Sequence, residues 1–137
     1  MAKIKIIDDD REAAENMAAL LKKAGHTTGV RDETDGAIED LLADKPDLVI
    51  LDVMFPENPA GGFDLARKIR QKRELKDLPV ILLTAVNQEF PMNFSAKDID
   101  PAWMPVQDFL DKPVKFPDLL AKVNQLLKQS QRKKQPS

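Results

Sequence analysis

Apolar residues recur along the chain in two alternating rhythms. Ile4-Lys5-Ile6-Ile7 is a short run rich in β-branched side chains that stops at Asp8-Asp9-Asp10. Ala13, Met17, Leu20, Leu21 and Ala24 follow at helical spacing, and Gly25 can end that helix. His26 to Val30 reads as a weak strand. Thr34 and Asp35 offer caps for a short helix through Ile38, Leu41 and Leu42, which must end near Lys45 because Pro46 follows. Leu48-Val49-Ile50-Leu51 is continuously apolar and ends at Asp52. A strand without polar alternation is buried on both faces, as in a parallel sheet. Phe55 to Gly62, with its prolines and glycines, reads as a loop, and Phe63 to Glu74 as a helix with Ala66 and Ile69 inward and a basic outer face. Pro79-Val80-Ile81-Leu82-Leu83 is a second continuous apolar strand, ending at Thr84. Phe109-Leu110 lies in a short strand before Lys112-Pro113, and Phe116, Leu119, Leu120, Val123, Leu126 and Leu127 mark a last amphipathic helix. Residues 87–105 fit neither rhythm.

Strand followed by helix, repeated about five times, predicts a parallel sheet with helices on both faces and right-handed crossovers. In such α/β sheets the working site lies beyond the carboxyl ends of the strands. No internal repeat or second domain is visible.

Composition narrows the chemistry. The 137 residues fit one domain, and no apolar run reaches the ~20 residues of a membrane span. The opening Met-Ala-Lys-Ile-Lys does not read as a signal peptide, so a cytoplasmic location with no membrane partner is expected. With no cysteine and one histidine, a disulfide framework, a thiolate metal site and a Ser-His-Asp triad are excluded or hard to build. His26 itself reads as a surface residue. Four of the 21 basic residues fall in 128–137, leaving 17 against 23 acidic ones before that point, a balance of −6. An acidic body is a poor general binder of nucleic acid, so nucleic acid is not expected as a partner. The basic residues 128–137 read as a disordered tail beyond a domain at 1–127.

Reading off the strand ends gives Asp8 and Asp9, then Asp52, Thr84 and Lys112. Brought together, the carboxylates would repel one another, and a divalent cation would remove the conflict. Hard oxygen ligands suit Mg²⁺ or Mn²⁺. Lys112 adds a point positive charge and Thr84 a hydroxyl, a set suited to a phosphoryl group, with one carboxylate as nucleophile. Asp10, by contrast, reads as the cap of the first helix.

With Ile-Ile-Asp8-Asp9-Asp10, Leu-Asp52-Val-Met54-Phe-Pro56, Leu-Leu-Thr84-Ala85 and Phe109-Leu-Asp-Lys112-Pro113 in place, the chain resembles a response-regulator receiver domain of bacterial two-component signalling over residues 3–127. The resemblance implies a flavodoxin-like doubly wound (βα)5 sandwich of three layers, with a five-stranded parallel sheet of order 2-1-3-4-5. It implies that Asp52 accepts a phosphoryl group from a sensor histidine kinase or a histidine phosphotransfer protein. Asp9, Asp8, Asp52 and the backbone carbonyl of Met54 would hold Mg²⁺, and Lys112 would contact the phosphoryl oxygens. Thr84 and Phe109 would be the switch residues, and the Lys112-Pro113 peptide would be cis.

The chain departs from the family pattern in two places. The loop from Pro56 to Gly62 is long, and so is the stretch of 28 positions from Thr84 to Lys112. The second contains Pro91, Pro101 and Pro105, which predicts an irregular or shortened fourth helix, with room for one brief helix at Ser95 to Asp98. Phe90, Met92, Phe94, Trp103 and Met104 make that segment apolar, either as core or as a partner surface, and it is expected to re-pack on phosphorylation. Met54 and Val86, two positions beyond Asp52 and Thr84, cannot orient a water by hydrogen bonding, so spontaneous dephosphorylation should not be fast. The expected role is a stand-alone receiver that presents a switchable surface to a downstream protein target, not an enzyme with an external substrate. The alternative is a small Mg²⁺-dependent phosphatase with an aspartyl nucleophile. That chemistry usually places a second Asp two residues on, where Met54 stands. A nucleotide-binding fold is weakened by the absence of a Gly-rich loop after the first strand.

Overall fold

The computed structural model describes residues 2–52, 61–75, 78–85, 108–112 and 115–134. Five strands, β1 (Lys3–Ile7), β2 (Thr27–Arg31), β3 (Leu48–Asp52), β4 (Val80–Ala85) and β5 (Asp108–Lys112), form one sheet of order β2-β1-β3-β4-β5. Every pairing is parallel. The helices are α1 (Arg11–Lys23), α2 (Ala37–Asp44), α3 (Gly61–Gln71) with a 3₁₀ turn at Arg73–Leu75, and α4 (Phe116–Lys134). This is the doubly wound parallel sandwich that the strand–helix alternation predicts.

The three layers follow from the period of two along the strands. Ile4 and Ile6 of β1, Leu48 and Ile50 of β3, and Ile81 and Leu83 of β4 pack against Ala14, Ala18 and Leu21 of α1 and Leu119, Val123 and Leu126 of α4. Ile7, Val49, Leu51, Val80 and Leu82 point the other way, onto Ala37 and Leu41 of α2 and Leu65, Ala66 and Ile69 of α3. Central strands covered on both faces need apolar residues at successive positions, which is why the sequence shows runs and not alternation. Cutting one of the fully buried leucines or isoleucines among them to alanine should cost about 2–5 kcal/mol.

Several local expectations are corrected. The inward stripe of α1 is Ala14, Ala18 and Leu21, with Met17 partly buried, whereas Leu20 is 38% exposed. Small alanines let the helix approach the sheet closely, and their weak hydrophobicity hides that role in the sequence. Helix α2 is not capped by Thr34 or Asp35: its N-cap is Gly36, in the left-handed region at φ 76° with no side-chain cap bond. Thr34 serves through its backbone carbonyl, which accepts from the Ala37 N–H at 3.1 Å. The predicted end of α2 is right, and Lys45 closes it at φ 52°. Helix α3 begins at Gly61, inside the predicted loop, and stops at Gln71, with Arg73–Leu75 tightened into a 3₁₀ turn. Helix α4 runs on to Lys134, so residues 128–134 of the expected tail are helical. They contain no glycine or proline to interrupt it. Expectations about Met54, the loop from Pro56 to Ala60, residues 87–105 with their fourth helix, and the Lys112-Pro113 peptide fall outside the described residues.

Candidate functional site

Strand β1 ends at Ile7 and the chain turns at once into α1. Two backbone contacts shape that turn. The Asp8 N–H donates to the Arg31 carbonyl at 3.0 Å, continuing the β1–β2 ladder by one rung. The Asp10 N–H donates to Asp8 Oδ1 at 2.9 Å. Asp10 then caps α1, its Oδ1 accepting from the Ala13 N–H at 3.1 Å, as its place in the sequence predicts. The positive end of the α1 dipole consequently lies beside the acids. Asp52 is the last residue of β3, in register with Leu83 of β4, while its neighbour Leu51 pairs with Ile7 of β1.

These connections gather three acids. Asp8 is fully buried, Asp52 is 5% exposed and Asp9 is open to solvent. One carboxylate oxygen from each lies within 4.8 Å of the others. At that separation the mutual repulsion of Asp8 and Asp52 is on the order of 3 kcal/mol for an effective dielectric near 20. Burial adds a desolvation cost. A hard divalent cation fits this donor set: every ligand is an oxygen, the oxygens already converge, and two of the three acids are shielded from water.

Thr84 and Lys112 share the same carboxyl edge of the sheet. Thr84 follows Leu83, the register partner of Asp52, and is paired with Asp111. Lys112 ends β5, in register with Ala85, two strands and so roughly 10 Å of sheet from β3. Phe109, second in the edge strand β5, is in register with Leu82. From one edge to the other, the strand order therefore sets Asp8 and Asp9, then Asp52, then Thr84, then Lys112. A groove of about 720 Å³ between α2 and α3, lined by residues such as Thr34, Glu39, Asp64 and Lys68, does not include the acids.

A second charged group, not marked by any motif, sits where α2 covers β1. Lys5 lies inside the apolar run of β1, its side chain only 9% exposed, with Nζ 3.0 Å from both Asp40 Oδ2 and Asp44 Oδ2 of α2. Asp44 also pairs with Lys3 Nζ at 2.6 Å, and Asp40 with Arg31 Nη1 at 3.8 Å. Burial alone would lower the Lys5 pKa, but the two carboxylates outweigh it and raise it. Asp44 is held below its ordinary value by its bonds to Lys3 and Lys5. Gly29 on β2 leaves room for this ammonium, since a Cβ there would sit 3.3 Å from Lys5 Nζ. A lone lysine between isoleucines was the available signal.

The comparisons agree with the geometry. The sequence matches the response regulator receiver domain family over residues 4–124. It is 32% identical over 134 residues to the DNA-binding dual master transcriptional regulator RpaA of Synechocystis sp., covering 96% of this chain and 52% of that protein. It is 33% identical over 130 residues to the transcriptional regulatory protein CpxR of Escherichia coli K12, covering 95% of this chain and 51% of that protein. The chain thus spans about half the length of the curated relatives it matches. Its fold superposes on the signal receiver domain of a signal transduction histidine kinase from Syntrophus aciditrophicus with a TM-score of 0.77 and 29% identity, covering all of this chain and 96% of that one. Among the described residues no helix is long and apolar enough to cross a membrane. Sequence, topology and the acids at the strand ends lead to one assignment: this chain belongs to the response regulator receiver domain family.

Proposed function

We propose that this chain accepts a phosphoryl group on Asp52 from a sensor histidine kinase or a histidine phosphotransfer protein, and so switches a surface that a downstream partner reads. The observation that carries the reading is the convergence of Asp8, Asp9 and Asp52 at the carboxyl edge, with Asp52 on the central strand. Asp52 has the other two acids on one side and the strands of Thr84 and Lys112 on the other. A phosphoryl group placed there would have the cation site on one side and the strand that Lys112 ends on the other. In the transfer, an Asp52 carboxylate oxygen bonds to phosphorus as the bond from phosphorus to the donor imidazole nitrogen breaks, giving an acyl phosphate. Asp8, Asp9 and Asp52, with the Met54 carbonyl, would hold Mg²⁺ or Mn²⁺, which when bound neutralises the acids and draws charge from the phosphoryl oxygens. Thr84 would follow the phosphoryl group and Phe109 would respond, linking chemistry to surface.

Acetyl phosphate labelling tests this. The parent chain should be labelled in a Mg²⁺-dependent manner, with the label mapped to Asp52 by mass spectrometry, and Asp52→Asn should abolish it. Undiminished labelling of that variant would overturn the assignment. Absence of steady turnover of a generic phosphomonoester would separate a receiver from an aspartyl phosphatase. RpaA is described as DNA-binding, so a gel shift with and without phosphorylation is the measurement that separates a protein target from a nucleic-acid one.

A further inference from the structure

Arg31 ends β2, on the far side of β1 from Asp52, and its side chain does not reach for the acids. Its backbone does, through the carbonyl that accepts the Asp8 N–H at 3.0 Å. The guanidinium turns the other way and closes the loop leading to α2. Nε donates to the Glu33 carbonyl at 3.0 Å, Nη2 donates to the Asp35 carbonyl, and Nη1 lies 3.8 Å from Asp40 Oδ2. Gly36 makes this possible: a Cβ there would stand 2.8 Å from Arg31 Nη2, and its φ of 76° suits glycine. One side chain therefore fastens residues 33–35 and the first turns of α2 onto the residue whose carbonyl locates the most deeply buried acid. Across the loop, Arg11 Nη1 and Asp32 Oδ2 are 3.4 Å apart, tying it to the start of α1.

We propose that Arg31 is a positioning residue for the cation site, acting on Asp8 through the Arg31 carbonyl and the Asp8 N–H. It does for a carboxylate what an outer partner does for any metal ligand, narrowing the positions that the ligand samples before the ion arrives. The planar fork matters, because two backbone carbonyls are engaged at once; a lysine keeps the charge but cannot bridge both. This role of Arg31 rests on the cation site proposed above.

The test is a Mg²⁺ titration of the whole chain, followed by amide shifts of Asp8, Asp9 and Asp10, beside acetyl phosphate labelling at each Mg²⁺ concentration. Arg31→Lys, Arg31→Met and Gly36→Ala should each raise the Mg²⁺ dissociation constant, by on the order of tenfold. Labelling should return to the parent rate at saturating Mg²⁺, a split that general destabilisation would not produce. A dissociation constant within about twofold of the parent in folded Arg31→Lys and Arg31→Met would overturn the proposal. So would labelling that stays slow at saturating Mg²⁺, since Arg31 would then act elsewhere than on the cation. If the parent chain itself shows no Mg²⁺-dependent shifts, the cation-site reading fails instead, and this proposal with it.

Discussion

The ammonium of Lys5 offers a sharp test of how a buried charge is held. Removing its partners should cost far more than removing the charge itself. In Asp40→Ala/Asp44→Ala the side chain of Lys5, 9% exposed, loses both carboxylates that it touches at 3.0 Å. An uncompensated buried charge costs about 3–5 kcal/mol. Lys5 can relieve part of this by snorkelling, so a loss near 3 kcal/mol is expected. In Lys5→Met the buried charge disappears and an unbranched apolar side chain of similar length takes its place against α2. Asp40 and Asp44 are not stranded, because each is 30% exposed and keeps a cation of its own, Arg31 and Lys3. That variant should lie within about 1 kcal/mol of the parent, on either side, since an apolar replacement of a buried pair is often neutral or better. Urea denaturation followed by far-ultraviolet circular dichroism, at pH 7 and with m-values compared, measures both. If Lys5→Met loses as much as the double variant, the network contributes net stability and the desolvation argument is wrong. Asp44 sits below its ordinary 3.8, so its contribution is present above that value and is lost as pH falls through the lower folded value. Lys5 sits above its ordinary 10.5, so its contribution is present below 10.5 and is lost as pH rises through the higher folded value.

Three further outcomes are expected. Asp10→Ala should lose about 1 kcal/mol, because the Ala13 N–H would lose its cap, and thermal melting in the absence of Mg²⁺ would show it; an unchanged melting temperature would contradict the capping role. His26, whose Nδ1 accepts from the Ala2 N–H at 3.3 Å, has its pKa lowered by burial and by the nearby positive chain terminus. The folded state therefore takes up its proton later than the unfolded one, and stability should fall as pH drops from the ordinary 6.5 through the folded value, a slope that His26→Gln should remove. Gly29→Ala should destabilise the parent but not Lys5→Ala, because the new methyl meets only the end of the Lys5 side chain; equal losses in both backgrounds, by urea titration, would refute that contact.

Much of this molecule was legible along the chain, and the reason is physical. Leu48–Leu51 and Pro79–Leu83 are apolar at successive positions because central parallel strands are covered on both faces, so the sheet class shows without any contact being known. Asp8, Asp9, Asp52, Thr84 and Lys112 announce themselves because each follows or closes such a run, and strand ends are where α/β sheets hold their sites. Asp10 was readable as a cap for the same local reason.

What tertiary structure alone decided concerns partners distant in sequence. Lys5 looks like a blemish in a hydrophobic run until α2 folds over it and sets Asp40 and Asp44 against its ammonium. The inward face of α1 passes through Ala14 and Ala18, not Leu20, because closeness to the sheet selects small side chains that carry little hydrophobic signal. Thr34 and Asp35 resemble caps, yet the left-handed Gly36 takes that position because the Arg31 guanidinium occupies the space beside it. Local spacing encodes which elements form and which polar residues fall at their ends. The packing of one element on another decides which charges pair, which helix face turns inward, and which carbonyl the Asp8 N–H meets.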